Sequence, residues 1–303
     1  MSGLHKYDMK LNRPFDLDAT VDSWIYSDIQ PTPEIKQPGM FARCFHIENT
    51  IVPVRIIQIR KEPKARLEIQ WPKECPERES AILDLTEWLL GLDIDTQLVL
   101  KEIQADPVIA HLSKPLEGLR PFSQPTFFEA LVKAILQQQV SYRSASQVTR
   151  RLVETYGPRC RLVNDIFYGF PSLDIMSSLS EADLRACKVG YKAPYLVELF
   201  HQLVYGRTRL EKLAQHTSSE IIAVLDKFRG VGVWTAELAV LTGLRRLEVF
   251  PSDDLGIRAI ISKLYLNGKP ARRKDVENTA ARWGKEGSMV LYFLMCAQVL
   301  GIV

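Results

Sequence analysis

The stretch Phe228-Arg229-Gly230-Val231-Gly232-Val233-Trp234-Thr235-Ala236, followed by Phe250-Pro251-Ser252-Asp253-Asp254, decides how the rest of this chain is read. Ile221, Ile222, Leu225 and Phe228 recur at helical spacing before it, and a second helix runs from Trp234 to Leu241. Two glycines in three positions between helices allow φ > 0 and close approach by another backbone. The second helix then offers unpaired N–H groups and its positive dipole end at the turn, a geometry suited to phosphate. Contacts of that kind fix position along a nucleic acid without reading its sequence. Thr235 adds a hydroxyl. Alone, the same residues are an ordinary helical turn whose first glycine is a C-cap. The context favours the nucleic-acid reading. Gly190-Tyr191-Lys192-Ala193 forms another helix junction with an amide-plus-lysine grip, and Arg245, Arg246, Arg258 and Lys263 surround the acidic pair.

Pro251-Ser252-Asp253-Asp254 precedes a helix with Leu255, Ile257, Ile260, Ile261 and Leu264 on its apolar side. In the plainest reading Ser252 or Asp253 is the N-cap and Asp254 a favourable first-turn acid. One aspartate suffices to cap, which leaves the other for chemistry. A carboxylate in a water-poor site stabilises the positive charge that builds on a sugar when an N-glycosidic bond breaks, and it orients or deprotonates the attacking water. A base cut from a duplex must first leave the stack, so the site needs a plug and an aromatic slot. Gln137-Gln138-Gln139-Val140-Ser141, ending an apolar helix, is the candidate plug; its plainer reading is a solvated helix end. Trp234, Tyr292 and Phe293 are slot candidates that would otherwise be core.

The chain has 303 residues, more than one core usually organises, so two or three subdomains are expected. It is 46% hydrophobic and 25% charged, which excludes a disordered chain. A net charge of +3 permits a local basic face without demanding one. The N-terminus has no apolar signal core, and no apolar run reaches the length of a membrane span. The scattered cysteines Cys44, Cys75, Cys160, Cys187 and Cys296 suggest no metal knuckle and a reduced, intracellular protein.

The fold class expected is α+β. Phe41–Ile47, Ile51–Ile59 and Arg66–Trp71 are β-rich segments of a small antiparallel sheet, with Phe15 and Trp24–Tyr26 packed nearby. Beyond Pro76 the pattern turns helical, and from Thr126 onward it is almost wholly so. Phe127–Leu136 has the length of a buried helix, Ser141 or Ser144 starts the next, and Ser180-Glu181-Ala182-Asp183 opens a capping box. Ser218 or Ser219 caps the helix before the glycine turn.

Together these residues resemble the helix-hairpin-helix (HhH-GPD) superfamily of DNA glycosylases, on the branch of the DNA-3-methyladenine glycosylase II (AlkA-type) enzymes. Four segments carry the resemblance: Gly118–Pro121 with Phe128–Ser141, Leu184–Ala193, Phe228–Ala236 and Val249–Ile257. It covers residues 118–303 well and the N-terminal sheet more weakly. It implies a sheet domain (1–78), helices packing with the C-terminal lobe (79–117), a central lobe with the hairpin (118–248) and a C-terminal lobe carrying the acid (249–303). It implies Asp254 as the catalytic aspartate and Asp253 as its support. Gly230, Val231, Gly232 and the adjoining amides would hold the DNA backbone, with Thr235 and Lys192 beside them. A monovalent sodium or potassium ion on the hairpin carbonyls of residues 228–233 often completes that grip. Gln139 falls at the duplex wedge, and Trp234, Leu238, Phe293 and Met295 at the base pocket.

Three departures shape the expected chemistry. Bifunctional relatives have a nucleophilic lysine where this chain has Trp234, so water is the expected nucleophile and a lyase step is not expected. Only Cys296 lies in the last hundred residues, so the iron–sulfur cluster of some relatives cannot form. Leu238 and Met295 stand where the bacterial enzymes have further aromatics, which bears on which lesion is preferred. The resemblance therefore implies a monofunctional glycosylase, monomeric, acting on alkylated purines in double-stranded DNA in a prokaryotic cytoplasm. The alternatives are uracil, hypoxanthine or an oxidised purine as substrate, a β-elimination lyase, or a damage sensor that does not cut.

Overall fold

The computed structural model describes residues 3–48, 50–206 and 208–303. Strands β1 (Leu4–Lys10), β2 (Ile35–Gln37), β3 (Met40–Ile47), β4 (Thr50–Arg60) and β5 (Arg66–Pro72) form an antiparallel sheet in the order β1-β5-β4-β3-β2. Helix α1 (Leu17–Asp22) lies between β1 and β2, its N-terminus capped by Asp16. Phe41, Phe45, Ile56, Leu67 and Trp71 form the sheet's main core with Phe15, Leu17 and Val21.

Two helices follow, α2 (Glu79–Leu90) and α3 (Gln97–Ala105), and they part company. Ile82, Leu89 and Leu90 of α2 join the sheet core, whereas Val99 and Ile103 of α3 join the C-terminal core. This corrects the expectation that all of 79–117 packs with the C-terminal lobe. The apolar face of α2 finds its partner in the sheet that precedes it.

The helical part comprises α4 (Phe127–Gln137), α5 (Tyr142–Tyr156), α6 (Leu173–Ser177), α7 (Glu181–Ala186), α8 (Ala193–Tyr205), α9 (Leu210–Leu213), α10 (Ser218–Leu225), α11 (Val233–Leu244), α12 (Leu255–Tyr265), α13 (Arg273–Ala280) and α14 (Gly287–Val299). One core gathers Leu131 and Ile135 of α4 with Phe200 of α8, Leu225 of α10 and Val240 of α11. A second gathers Ile257 and Ile260 of α12 with Val290 and Phe293 of α14. Thr126, Ser141 and Ser180 act as N-caps, the last in a full capping box; Thr217, rather than Ser218 or Ser219, caps α10.

The expectation of an almost wholly helical chain beyond Thr126 fails at β6 (Arg159–Leu162) and β7 (Asp165–Tyr168), a hairpin inserted after α5. Its Leu162 and Phe167 cover Ala42 and Cys44 on the second face of β3. That is why Phe41–Phe45 is buried without alternation. Cys44 and Cys160 are joined by a disulfide across this contact, which corrects the fully reduced reading. Arg43, on the other face, is fully buried and is neutralised by Glu34 and Glu129, each 2.9 Å away, with Lys133 2.8 Å from both acids. This network ties α4 to the sheet. Among the described residues no helix is long and apolar enough to cross a membrane.

Candidate active site

The hairpin between α10 and α11 needs its two glycines for different reasons. Gly230 has φ +80, and a Cβ there would fall 2.6 Å from the Tyr195 ring. Gly232 is extended (φ −99, ψ 174), exposed, and has no atom within 4 Å of a Cβ position. It is the N-cap of α11, and no side chain caps that helix. The first-turn amides therefore stand beside open space at the positive end of the helix. Val231 does not share in this: its side chain is 4% exposed and its amide donates to the Phe228 carbonyl at 3.0 Å. Thr235 is also turned inward, 2% exposed, its hydroxyl accepting from Gln138 Nε2 at 2.7 Å. The Val231 amide is engaged and the Thr235 hydroxyl buried, so the open amides of the hairpin are those that follow Gly232. The carbonyls of Phe228 and Gly230 each accept one hydrogen bond, from Val231 and Gln138, and keep a second lone pair that could serve a cation.

The loop after α4 is fastened to this hairpin. Gln138 donates to the Gly230 carbonyl at 2.7 Å as well as to Thr235. Gln139, next in sequence, has φ +55 and projects into solvent beside Val140. Its Oε1 accepts from the Tyr191 hydroxyl at 3.1 Å. Lys192 does not face outward as a phosphate grip. It is 3% exposed, and its Nζ donates to the Leu136 carbonyl at 2.7 Å, satisfying an open carbonyl at the end of α4. Burial pulls its ammonium down to about 8.

Asp254 is itself the N-cap of α12, not a first-turn acid behind another cap. Its Oδ1 accepts from the amides of Gly256 (2.8 Å) and Ile257 (3.4 Å), and its Oδ2 from Trp234 Nε1 (3.1 Å). Capping and the candidate chemistry thus fall on one half-buried carboxylate whose two oxygens are held by different donors. Asp253 is exposed and paired with Arg258 at 3.3 Å. Gly256 leaves room: a Cβ there would come within 3.0 Å of Asp254 Oδ1 and 3.1 Å of Met295 Cε. Leu255, beside the acid, is 77% exposed. One turn beyond Trp234, buried Glu237 forms a two-point pair with Arg273 and so ties α11 to α13; burial raises its carboxyl, against the pull of Arg273.

Among the expected pocket residues, Trp234 and Met295 are half-buried and Leu238 is 7% exposed. Phe293 is wholly buried in the C-terminal core and lines no surface, a correction that follows from α14 being apolar all round. A different aromatic packs on α14. Trp24, half-buried, packs against all three main cores. It stacks on Tyr292 at 6.0 Å and donates to its hydroxyl at 2.7 Å. Tyr292 precedes Met295 by three positions on α14, so both lie on one helix face. Beside Trp24 is a small cleft of about 20 Å³ lined by Glu34, Gln124, Lys133, Gln137 and Tyr142. Trp24, Gln138 and Tyr191 enter the sequence reading only as members of longer stretches, without these contacts. The available signal was an isolated aromatic or amide in a polar stretch, and only tertiary contact gives it meaning.

The family model of the HhH-GPD superfamily base excision DNA repair protein matches residues 132–286, half of the chain. The chain is 27% identical over 248 residues to a DNA-3-methyladenine glycosylase of Bacillus subtilis (strain 168), covering 81% of each. It superposes on the 3-methyladenine DNA-glycosylase from Archaeoglobus fulgidus with a TM-score of 0.86 at 24% identity, over 98% of this chain and 100% of that one. It superposes on a Clostridium acetobutylicum 8-oxoguanine glycosylase/lyase in complex with double-stranded DNA with a TM-score of 0.78 at 20% identity, over 100% and 99%. At these identities the two structures are alike in fold.

Proposed function

Because this chain belongs to the HhH-GPD superfamily of base excision DNA repair proteins, on its AlkA-like side, we propose that it is a monofunctional DNA glycosylase releasing alkylated purines such as 3-methyladenine from duplex DNA. The observation that carries the reading is the Trp234–Asp254 bond. The position of a lyase's lysine holds an indole, and that indole orients the carboxylate. The name of the relative from Bacillus subtilis supports the alkylated substrate.

The path has four parts. Amides at Gly232 to Trp234 hold a phosphate of the damaged strand. Gln139 fills the gap left by the extruded nucleotide, and Val140 flanks it. The base lies against Trp234 and the Trp24 corner, with Leu238 and Met295 beside it. As the bond between C1′ and the base nitrogen lengthens, Asp254 stabilises the sugar cation. Water adds to C1′, its proton passes to Asp254 and on to bulk water, and the base leaves with the bonding electron pair, giving an abasic site. A cationic alkylated base is already a fair leaving group, so a second carboxylate is not required. Asp253 supports by charge alone, through Arg258.

The cleft beside Trp24, at about 20 Å³, has room for no more than a water molecule and assigns no base; an oxidised purine is the substrate to set against alkylated ones. One experiment tests both. DNA treated with a methylating agent, and duplex carrying 8-oxoguanine, are incubated with wild type and Asp254→Asn, and released bases are separated by chromatography. The expected result is release of methylated purines by wild type, with binding but almost no release by the variant. Full release by Asp254→Asn overturns the mechanism, and release of the oxidised base alone overturns the substrate.

A further inference from the structure

A second concave site lies on the N-terminal side, built from residues the proposed chemistry does not use. It is a cavity of about 240 Å³ between the segment Lys10–Phe15, the turn after α2 at Leu92-Asp93, and Arg120. Arg120 is 4% exposed. Its guanidinium is held by neutral acceptors only: Nη1 donates to Thr96 Oγ1 (2.9 Å) and the Leu119 carbonyl (2.8 Å), and Nη2 to the Pro14 carbonyl (2.8 Å). Among the described residues no carboxylate lies within ion-pairing distance of it. A buried cation without a counter-charge is costly, and proteins rarely leave one so.

The surrounding charges deepen the imbalance. Lys10 and Arg13 also line the cavity, against one acid, Asp93. That acid is engaged by Arg245 at 2.5 Å. Asp95 lies 3.0 Å from Arg13 Nη1, a nitrogen sheltered from water that makes no hydrogen bond. Burial first, and then the charge of Arg13, pull Arg120 down to about 10, against the weaker pull of Asp95. Two guanidiniums that repel each other across a cavity, one locked in place by neutral groups, form a cradle for a multiply charged oxyanion, whose oxygens match their forked donors.

We propose that this cavity is an oxyanion site that takes the phosphate group of a small ligand, either inorganic phosphate or the monoester of a nucleotide. Arg120 is the fixed donor; Arg13 and Lys10 close on the anion from the mouth. The volume admits more than a bare phosphate. None of its lining residues holds Asp254, and the proposal does not depend on the reading of the active site.

The test is a titration of the full chain with inorganic phosphate and, separately, deoxyadenosine 5′-monophosphate at constant ionic strength, read by calorimetry and by broadening of the phosphorus resonance. Wild type should bind at least one probe, and the double variant Lys10→Ala/Arg13→Ala should bind about tenfold more weakly or not at all. Equal affinity for the two probes identifies free phosphate, and tighter binding of the nucleotide identifies the monoester. Arg120→Lys keeps the charge but loses the fork, and should lose binding as well. The double variant alters only the mouth, so the proposal remains testable if Arg120→Lys does not fold. Absence of binding at tens of millimolar, or equal binding by the double variant (an adventitious ion only), overturns the site. Displacement of both probes by short undamaged duplex overturns the small-ligand assignment in favour of a DNA phosphate.

Discussion

The indole Nε1 of Trp234 and the carboxylate Oδ2 of Asp254 are 3.1 Å apart and hydrogen-bonded, joining the first turn of α11 to the N-cap of α12. The other carboxylate oxygen is held by the Gly256 amide. The acid is therefore fixed by its own helix on one side and by the hairpin helix on the other. Any force that moves the hairpin, such as a phosphate seated at Gly232, is transmitted to the acid through one side-chain contact.

Trp234→Phe keeps most of the ring volume and removes the donor. A hydrogen bond to a charged group is worth about 1.5–3 kcal/mol, so excision in single turnovers should slow by roughly ten- to a hundredfold. Affinity for duplex containing an abasic analogue should stay near wild type, because the α11 amides are unchanged. Wild-type turnover in this variant would mean that the indole N–H does not orient Asp254.

Gln138 and Gln139 are adjacent and should separate cleanly on mutation. Gln138→Ala removes two bonds of 2.7 Å from the hairpin to the preceding loop. The expected cost is about 1–3 kcal/mol in denaturant unfolding, with weaker DNA binding. Gln139 is exposed, so Gln139→Ala should change stability by no more than about 0.5 kcal/mol. Its effect should appear in base extrusion, read by a fluorescent base analogue at the lesion. Equal stability losses in the two variants would contradict the division between clamp and wedge.

The difference between the legible and the illegible parts is one of range. The glycine turn and Asp254 were readable because local rules fix them: helical periodicity, φ at Gly230, an acid at a helix start. The sheet strands were readable from β-branched runs between prolines. Lys192 and Thr235 were misread, since their residue types suit phosphate and only packing turns them inward. The β6–β7 hairpin was missed because its strands are short and charged, with Arg159 and Arg161; its reason to exist is the open face of β3, over a hundred residues away. Trp24 was legible as an aromatic, but not as the residue on which three cores meet.

Lys192 gives a pH dependence of known sign. Its folded value near 8 lies below the ordinary 10.5, so folding favours the neutral amine. Below pH 8 both states carry the proton and the folded state bears the cost of burying it. Between pH 8 and 10.5 the unfolded chain binds more protons, and stability rises; above that the gain is complete. Other groups titrate in this window, so the quantity to measure is wild type minus Lys192→Met. That difference in unfolding free energy should grow with pH by on the order of 1–3 kcal/mol. A difference that is flat or falls with pH would show that the ammonium is not desolvated at the end of α4.

The Cys44–Cys160 bridge joins β3 to β6 across a sequence separation of 116 residues. Closing a loop of that length restricts the unfolded chain, and the chain-entropy estimate is up to about 5 kcal/mol. Reduction, or the pair Cys44→Ala/Cys160→Ala, should therefore lower the denaturant midpoint, while Cys75→Ala, at a free thiol, should not. The apolar cluster around the bridge contains none of the residues that frame Asp254. Excision per folded molecule should then be unchanged by reduction, and the loss should appear only as unfolding. Peptide mapping without reductant checks the premise directly. Recovery of Cys44 and Cys160 as free thiols would remove the bridge and leave the hairpin held to the sheet by Leu162, Phe167 and the Arg55–Asp165 ion pair.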